Sequence, residues 1–366
     1  MTKLIYCDTS IFKRPEIASC PGMERFAHVT EVYGKWVIPI DRSKTITTPL
    51  NLETLYPLPQ LKKCTKTYEE ICDERALEIL KSADTLNVSI YVRYSGGIDS
   101  TLVMVSLLKH ATLEQRKRIV VLLSQESIGE NPQFYQDHIN GKVRVESSVL
   151  FANHIGSNDI LLSAELNDQL LGSNMLGSLI VQHGPKTIHQ KYERELLIEY
   201  LSYWVREDRA LATFYYELFE KMCAASPVPL HSNLDFLWWI NFVTKWQPCL
   251  YYVILFTTPQ NAPRITQEYI DTRFIAFYNT EDFQQWAMNN LDKRIKDTWK
   301  SYKWVSKDAI YKFTKDADYR DNKTKVRSLP TVLRQQKLHN TFLDAQWKFS
   351  NDLKPESFLN PHNDFV

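Results

Sequence analysis

"NVSIYVRYSGGIDSTLVMVSLLKH", residues 87–110, decides how the rest of the chain is read. The apolar, β-branched run from Val88 to Val92 reads as a buried strand, and the amphipathic run from Thr101 reads as a helix. Between them stand two glycines, two hydroxyls and an acid. Gly96 and Gly97 permit tight or left-handed backbone and let amide N–H groups approach a ligand with no Cβ in the way. The helix that follows aims its unpaired N–H groups and the positive end of its dipole at the same place. Ser95, Ser100 and Thr101 add hydroxyl donors, so the turn suits phosphate oxygens. Asp99 makes sense beside an anion when Mg2+ stands between its carboxylate and the phosphates.

Working outward, the chain alternates. Upstream, "TYEEICDERALEILKSA" from Thr67 places Tyr68, Ile71, Cys72, Ala76, Ile79, Leu80 and Ala83 at helical spacing, and Thr67 with Glu70 forms a capping box. Downstream come strand-like "RIVVLLS", helix-like "NPQFYQDHI", strand-like "KVRVES" and strand-like "DILLSA". Strands that are continuous apolar runs and alternate with helices predict an α/β fold: a parallel sheet, Rossmann-like and buried on both faces by helices. Ligands of such sheets sit at the carboxyl ends of the strands, where the turn at 95–100 lies. Past about residue 175 the strand signals stop, and a helical C-terminal part is expected.

The flanks are less regular. Residues 1–60 carry short β-like pieces, "KLIYC" and "KWVIPI", among proline-bearing loops and read as an irregular N-terminal segment. Residues 61–330 read as the main domain and 331–366 as a polar tail. The 366-residue chain is 44% hydrophobic with a net charge of +1, enough to fill a large core and too balanced to steer the protein toward nucleic acid or an acidic membrane. Cys7, Cys20, Cys64, Cys72, Cys223 and Cys249 form no C-x-x-C pair and no zinc-spaced cluster, so reduced thiols in a cytoplasmic protein are expected. The N-terminus lacks the apolar core of a signal peptide. "LDFLWWINFV" and "CLYYVILF" are too short to span a bilayer, so no membrane partner is expected. The nine histidines show no metal or triad spacing and are assigned no chemistry.

The second informative stretch is "NDILLSAELNDQLLGSN", residues 158–174. An apolar strand runs into Glu165 and Asp168, and two acids three residues apart at a strand end suit one metal contact and one acid, base or substrate-orienting role. They are equally placed to cap the next helix.

Strand, S-G-G-x-D-S and helix together resemble the PP-loop signature of the ATP pyrophosphatases, which cut ATP between its α and β phosphates. The Walker A pattern G-x-x-x-x-G-K-[ST] is absent. The acidic stretch is similar to the asparagine synthetase pattern L-S-G-E-G-x-D-E-L-F-G-G at Leu162, Ser163, Glu165, Asp168, Leu170 and Gly172. It departs at Ala164, Leu166, Gln169, Leu171 and Ser173. The resemblance covers about residues 65–330. It implies ATP and Mg2+ as cofactors, with Ser95, Gly96, Gly97, Asp99, Ser100 and Thr101 around the phosphates. Asp99 and Asp168 would then hold the metal, and Glu165 would act at the reacting amide.

It also implies a lysine near the pyrophosphate and the acyl intermediate. Of Lys303, Lys307, Lys312, Lys323 and Lys325, Lys323 and Lys325 are favoured because "NKTKVRS" follows the helical run, and the others are read as solvated surface charge. Ser124 and Gln125, after "RIVVLL", stand where backbone groups of this fold read adenine, with Val92, Arg93 and Tyr94 leading into the same cleft; ordinary loop polarity accounts for them equally well. The expected substrates are a small carboxylate, aspartate or similar, and ammonia or another amine.

One departure bears on the ammonia. Glutamine-using members carry a cysteine directly after the initiator methionine, where this chain has Thr2, so free ammonia or a separate glutaminase is expected. Two other readings remain. A PP-loop enzyme activating a tRNA or nucleobase oxygen is one, with "EQRKR" and the lysine-rich segment around Trp299, Tyr302 and Trp304 contacting RNA; the near-zero net charge argues against it. A non-catalytic nucleotide-binding protein is the other.

Overall fold

The computed structural model describes residues 2–7, 9–32, 38–172, 174–255 and 265–324, with the strands Phe342–Asp344 and Phe349–Ser350 beyond them. The chain divides into two units that interleave in sequence. One is 61–171 with 260–336; the other is 1–60, 172–259 and 337–366. The expected single domain over 61–330 is therefore interrupted by residues that cluster with the N-terminal segment.

The unit containing residue 96 is built on a five-stranded parallel sheet. Its strands are β1 (Ile90–Arg93), β2 (Ile119–Leu123), β3 (Arg144–Ser147), β4 (Ile160–Ser163) and β5 (Phe274–Ala276), in the order β3-β2-β1-β4-β5. All five residues of β2 and all four of β4 are buried, as a sheet covered on both faces requires, whereas β3 at one edge is mostly exposed. Four strands lie where the apolar runs predict them. The fifth, β5 in "RFIAF", falls beyond residue 175, where no strand was expected; three residues long, it leaves too little periodicity to read.

Around this sheet the helices follow from their sequences. Helix α1 (Tyr68–Leu86) carries the expected capping box, with the Thr67 side chain accepting from the Glu70 amide and Glu70 accepting from the Thr67 amide. It buries Tyr68, Ile71, Cys72, Ala76, Ile79, Leu80 and Ala83, the set its periodicity names. Helix α2 (Ile98–His110) follows β1, and α3 (Gln125–Glu130) follows β2. The short α4 (Asn167–Leu171) follows β4, while α5 (Trp304–Thr314) and α6 (Ala317–Asn322) come from the lysine-rich segment.

In the other unit, Leu4–Cys7 pairs antiparallel with Phe342–Asp344, which pairs antiparallel with Phe349–Ser350. Part of the expected tail thus supplies strands that complete a small sheet with the N-terminal segment. Helix Asn233–Thr244 is buried along its whole length, Trp238, Trp239 and Phe242 included, together with the polar side chains of Asn233, Asp235, Asn241 and Thr244. The buried Arg42 guanidinium lies 4.6 Å over the Trp246 ring and donates to the backbone carbonyls of Tyr56, Pro57 and Phe242. All six cysteines are free thiols. Among the described residues no helix is long and apolar enough to cross a membrane.

Candidate active site

The strand order reverses between β1 and β4. In open α/β sheets such a reversal leaves a crevice outside the carboxyl ends, because the connections on either side run off in opposite directions. The loop 95–100 leaves β1 there, and the acidic loop 164–168 leaves β4 beside it.

The first loop is shaped by Gly96. Its φ is +75°, and a Cβ on it would stand 2.3 Å from the Ser127 carbonyl oxygen and 2.7 Å from the Glu130 Cβ. Only glycine accepts both the conformation and the approach of α3. Gly97 is the N-cap of α2 and provides no side-chain cap, so the first amides of a 13-residue helix keep their N–H groups unbonded by a cap. Hydroxyls brace the turn from within. The Ser100 side chain accepts from the Ser95 amide at 3.1 Å, lies 3.0 Å from the Ser95 hydroxyl and donates to the Gly97 carbonyl; Thr101 donates to the Gly96 carbonyl. Ser95 is exposed, whereas Ser100 and Thr101 are buried and hold the loop's shape.

The two predicted metal carboxylates come together, and a lysine joins them. Lys303 Nζ lies 2.6 and 2.5 Å from the two oxygens of Asp99 and 2.8 Å from Asp168 Oδ1. Lys303 is 1% exposed, while the Asp99 and Asp168 side chains are 24% and 28% exposed, so the carboxylates form the solvent side of the cluster and the ammonium its floor. Burial alone would disfavour the charged amine. The Asp168 and Asp99 carboxylates outweigh it and hold the Lys303 pKa above its ordinary value.

A second layer of buried donors fixes the acids. Asn167, fully buried at the start of α4, donates to Asp99 Oδ1 at 2.6 Å and to the Ser306 hydroxyl, and accepts from the Tyr68 hydroxyl of α1. The Tyr302 hydroxyl donates to Asp168 Oδ1 at 2.8 Å, and the Tyr278 hydroxyl donates to the Asp99 carbonyl at 3.0 Å. Burial, then the Asp168 charge, push the Tyr302 phenol well above its ordinary pKa, which keeps it a donor.

The residues fit a divalent cation held by few protein ligands. Two converging carboxylates offer hard oxygen donors, and a Mg2+ taking one or two of these, with phosphates and water completing its shell, would share them with the Lys303 ammonium, which lies on both Asp99 oxygens and on Asp168 Oδ1. Among the described residues no group of three or more His, Cys, Asp or Glu gathers as a closed metal cage.

The remaining expected residues lie around this cluster. Glu165 is 45% exposed, its amide donating to the Ser163 hydroxyl and its carboxylate 4.0 Å from Arg93. Ser124 caps α3 through its contacts with Ser127. Lys323, directly after α6, donates to Glu130 beside Gly96. Lys325 lies outside the described residues.

Two lysines read as surface charge are corrected. Lys303 is the floor of the acidic cluster, and Lys307 is 1% exposed, donating to the backbone carbonyls of Lys300 and Lys323. Tyr302 is equally enclosed, at 1% exposure, stacked on Trp299 with centroids 4.5 Å apart, so its ring is not offered to a base. The clue to Lys303 was local: it stands between two aromatics, Tyr302 and Trp304, in a run where solvated lysines would have polar neighbours. Asn167 and Glu130 gave no such sign. Compared with known proteins, the chain matches no protein-family model, and no curated protein matches it significantly.

Proposed function

We propose that the chain is an ATP-dependent, AMP- and pyrophosphate-forming synthetase of the asparagine synthetase type, which adenylates a carboxylate and passes it to ammonia or an amine. The observation that carries this reading is the convergence of Asp99 and Asp168, from two loops 69 positions apart, on one buried ammonium at the reversal of strand order, with both carboxylates on the solvent side. A glycine turn alone would not have needed the second acid.

On this reading the amides of Gly96 and of the first turn of α2 would donate to phosphate oxygens, and Asp99 and Asp168 would hold Mg2+. When bound, the ion would neutralise charge on the departing pyrophosphate. The substrate carboxylate attacks the α-phosphorus, the bond to the bridging oxygen breaks, and pyrophosphate leaves with that electron pair. Lys323, at the rim of the loop, supplies charge toward the pyrophosphate, and Glu165, on the exposed side, receives the proton of the attacking amine. Attack at the acyl carbon then expels AMP.

The isotopic test is direct. With 18O in the carboxylate of whichever acid supports turnover, one 18O belongs in the phosphate of AMP. Label in inorganic phosphate would indicate an acyl phosphate and an ADP-forming enzyme, and would sink the proposal.

A further inference from the structure

We infer that Glu130 is a positioning residue for Lys323, an inference that rests on the nucleotide reading above. Lys323 is fixed at four points. Its amide donates to the Tyr319 carbonyl at 3.1 Å, its carbonyl accepts from Lys307 Nζ at 3.0 Å, and its own Nζ donates to Glu130 Oε1 at 2.5 Å and to the Glu130 carbonyl at 2.9 Å. Both side chains of the pair are largely shielded, at 15% and 14% exposure. Glu130 is the last residue of α3, and it approaches the 95–100 loop as closely as it does because residue 96 has no Cβ; a Cβ there would stand 2.7 Å from that of Glu130. One contact therefore joins the lysine to the loop that would hold the phosphates.

The pair has a physical role beyond stability. A lysine stem is flexible and loses rotamer freedom each time its ammonium engages an anion. Held by a carboxylate and a carbonyl in the free protein, the ammonium of Lys323 has already lost that freedom, and of its three N–H groups one remains beyond the two given to Glu130. Glu130 thus prepares Lys323 to meet a phosphate at the rim of the loop.

The test is calorimetric titration of Mg·ATP into the full chain, carrying no change, Lys323→Gln, Glu130→Gln, Glu130→Asp, or Glu130→Gln with Lys323→Gln, each variant first checked by thermal unfolding. Lys323→Gln is expected to weaken binding about tenfold, the loss of one charge-assisted hydrogen bond. Glu130→Gln should weaken it about three- to tenfold, Glu130→Asp less, and the double variant no more than Lys323→Gln alone. Equal losses from Glu130→Gln with and without Lys323 would make Glu130 a structural residue only and overturn the inference. Tighter binding by Glu130→Gln would mean that the carboxylate competes with phosphate for the ammonium, and would overturn it as well. Lack of Mg·ATP binding by the unaltered chain would remove the nucleotide reading and this inference together, whereas normal binding by that chain and by Lys323→Gln would remove the inference alone.

Discussion

Lys303 grips both carboxylate oxygens of Asp99, at 2.6 and 2.5 Å, although the two residues are 204 positions apart in the chain. Asp168 shares the same ammonium. Removing the cation would leave two carboxylates facing each other over a buried methyl or methylene group. Lys303→Met should therefore cost about 3–5 kcal/mol of stability in urea denaturation, the usual penalty for breaking a buried pair. Adding Asp99→Asn and Asp168→Asn to it should recover part of the loss. Unchanged stability in Lys303→Met would mean that the cluster does not form.

The two glycines of the loop should differ in sensitivity. Gly96→Ala puts a Cβ against the Ser127 carbonyl at a φ of +75°, so a loss of about 1–3 kcal/mol is expected together with weakened Mg·ATP binding. Gly97→Ala meets only the Ser95 hydroxyl at 3.3 Å, a side chain that can rotate away. Its thermal unfolding should stay close to that of the unaltered chain. Equal midpoints for the two variants would contradict this account of Gly96.

The acids of the second loop should separate binding from chemistry. Asp168→Asn is expected to lower Mg-dependent turnover about 100-fold or more, as for a group stabilising transition-state charge, while the fold persists. Glu165→Gln should bind Mg·ATP within about twofold of normal and lose amide formation about 100-fold, the scale of a general base. Full activity in Asp168→Asn would overturn the proposed metal role of Asp168.

Burial lowers the Lys307 ammonium to about 8. The folded chain then releases this proton near pH 8, whereas the unfolded chain keeps it to about 10.4. Between those values the unfolded state binds more protons, so stability rises with pH through the window, and the cost of burying the charge is present in full below it. Relative to Lys307→Met, the unaltered chain should gain about 1–3 kcal/mol between pH 7 and pH 10 in denaturant titrations. A pH-independent difference between the two proteins would show that Lys307 stays charged throughout.

The central sheet could be read because each inner strand is a continuous apolar run beside a turn or a cap, and local signals of that kind survive in one sequence. The strand at Leu4–Cys7 was legible in "KLIYC", but its pairing with residues near 343 was not, and β5 lies 111 positions beyond the end of β4, its neighbour. The site divides in the same way. Gly96, Asp99 and Asp168 stand in short patterns that single them out in the sequence alone. Lys303 and Asn167 act through tertiary contact; the aromatic neighbours Tyr302 and Trp304 mark Lys303 off from the solvated lysines around it, but not the two carboxylates it meets. Glu130 likewise acts through tertiary contact, with Lys323 and with the Cβ-less Gly96.

The measurement that bears most directly on the central claim is 31P NMR of Mg·ATP turnover by the full chain, with a panel of amino acids as carboxylates and ammonium as amine. AMP and pyrophosphate are expected in equal amounts, only when both an acid and an amine are present, and are expected to be lost in Asp168→Asn. ADP and inorganic phosphate as the products, or AMP formed only when tRNA replaces the acid, would contradict the claim.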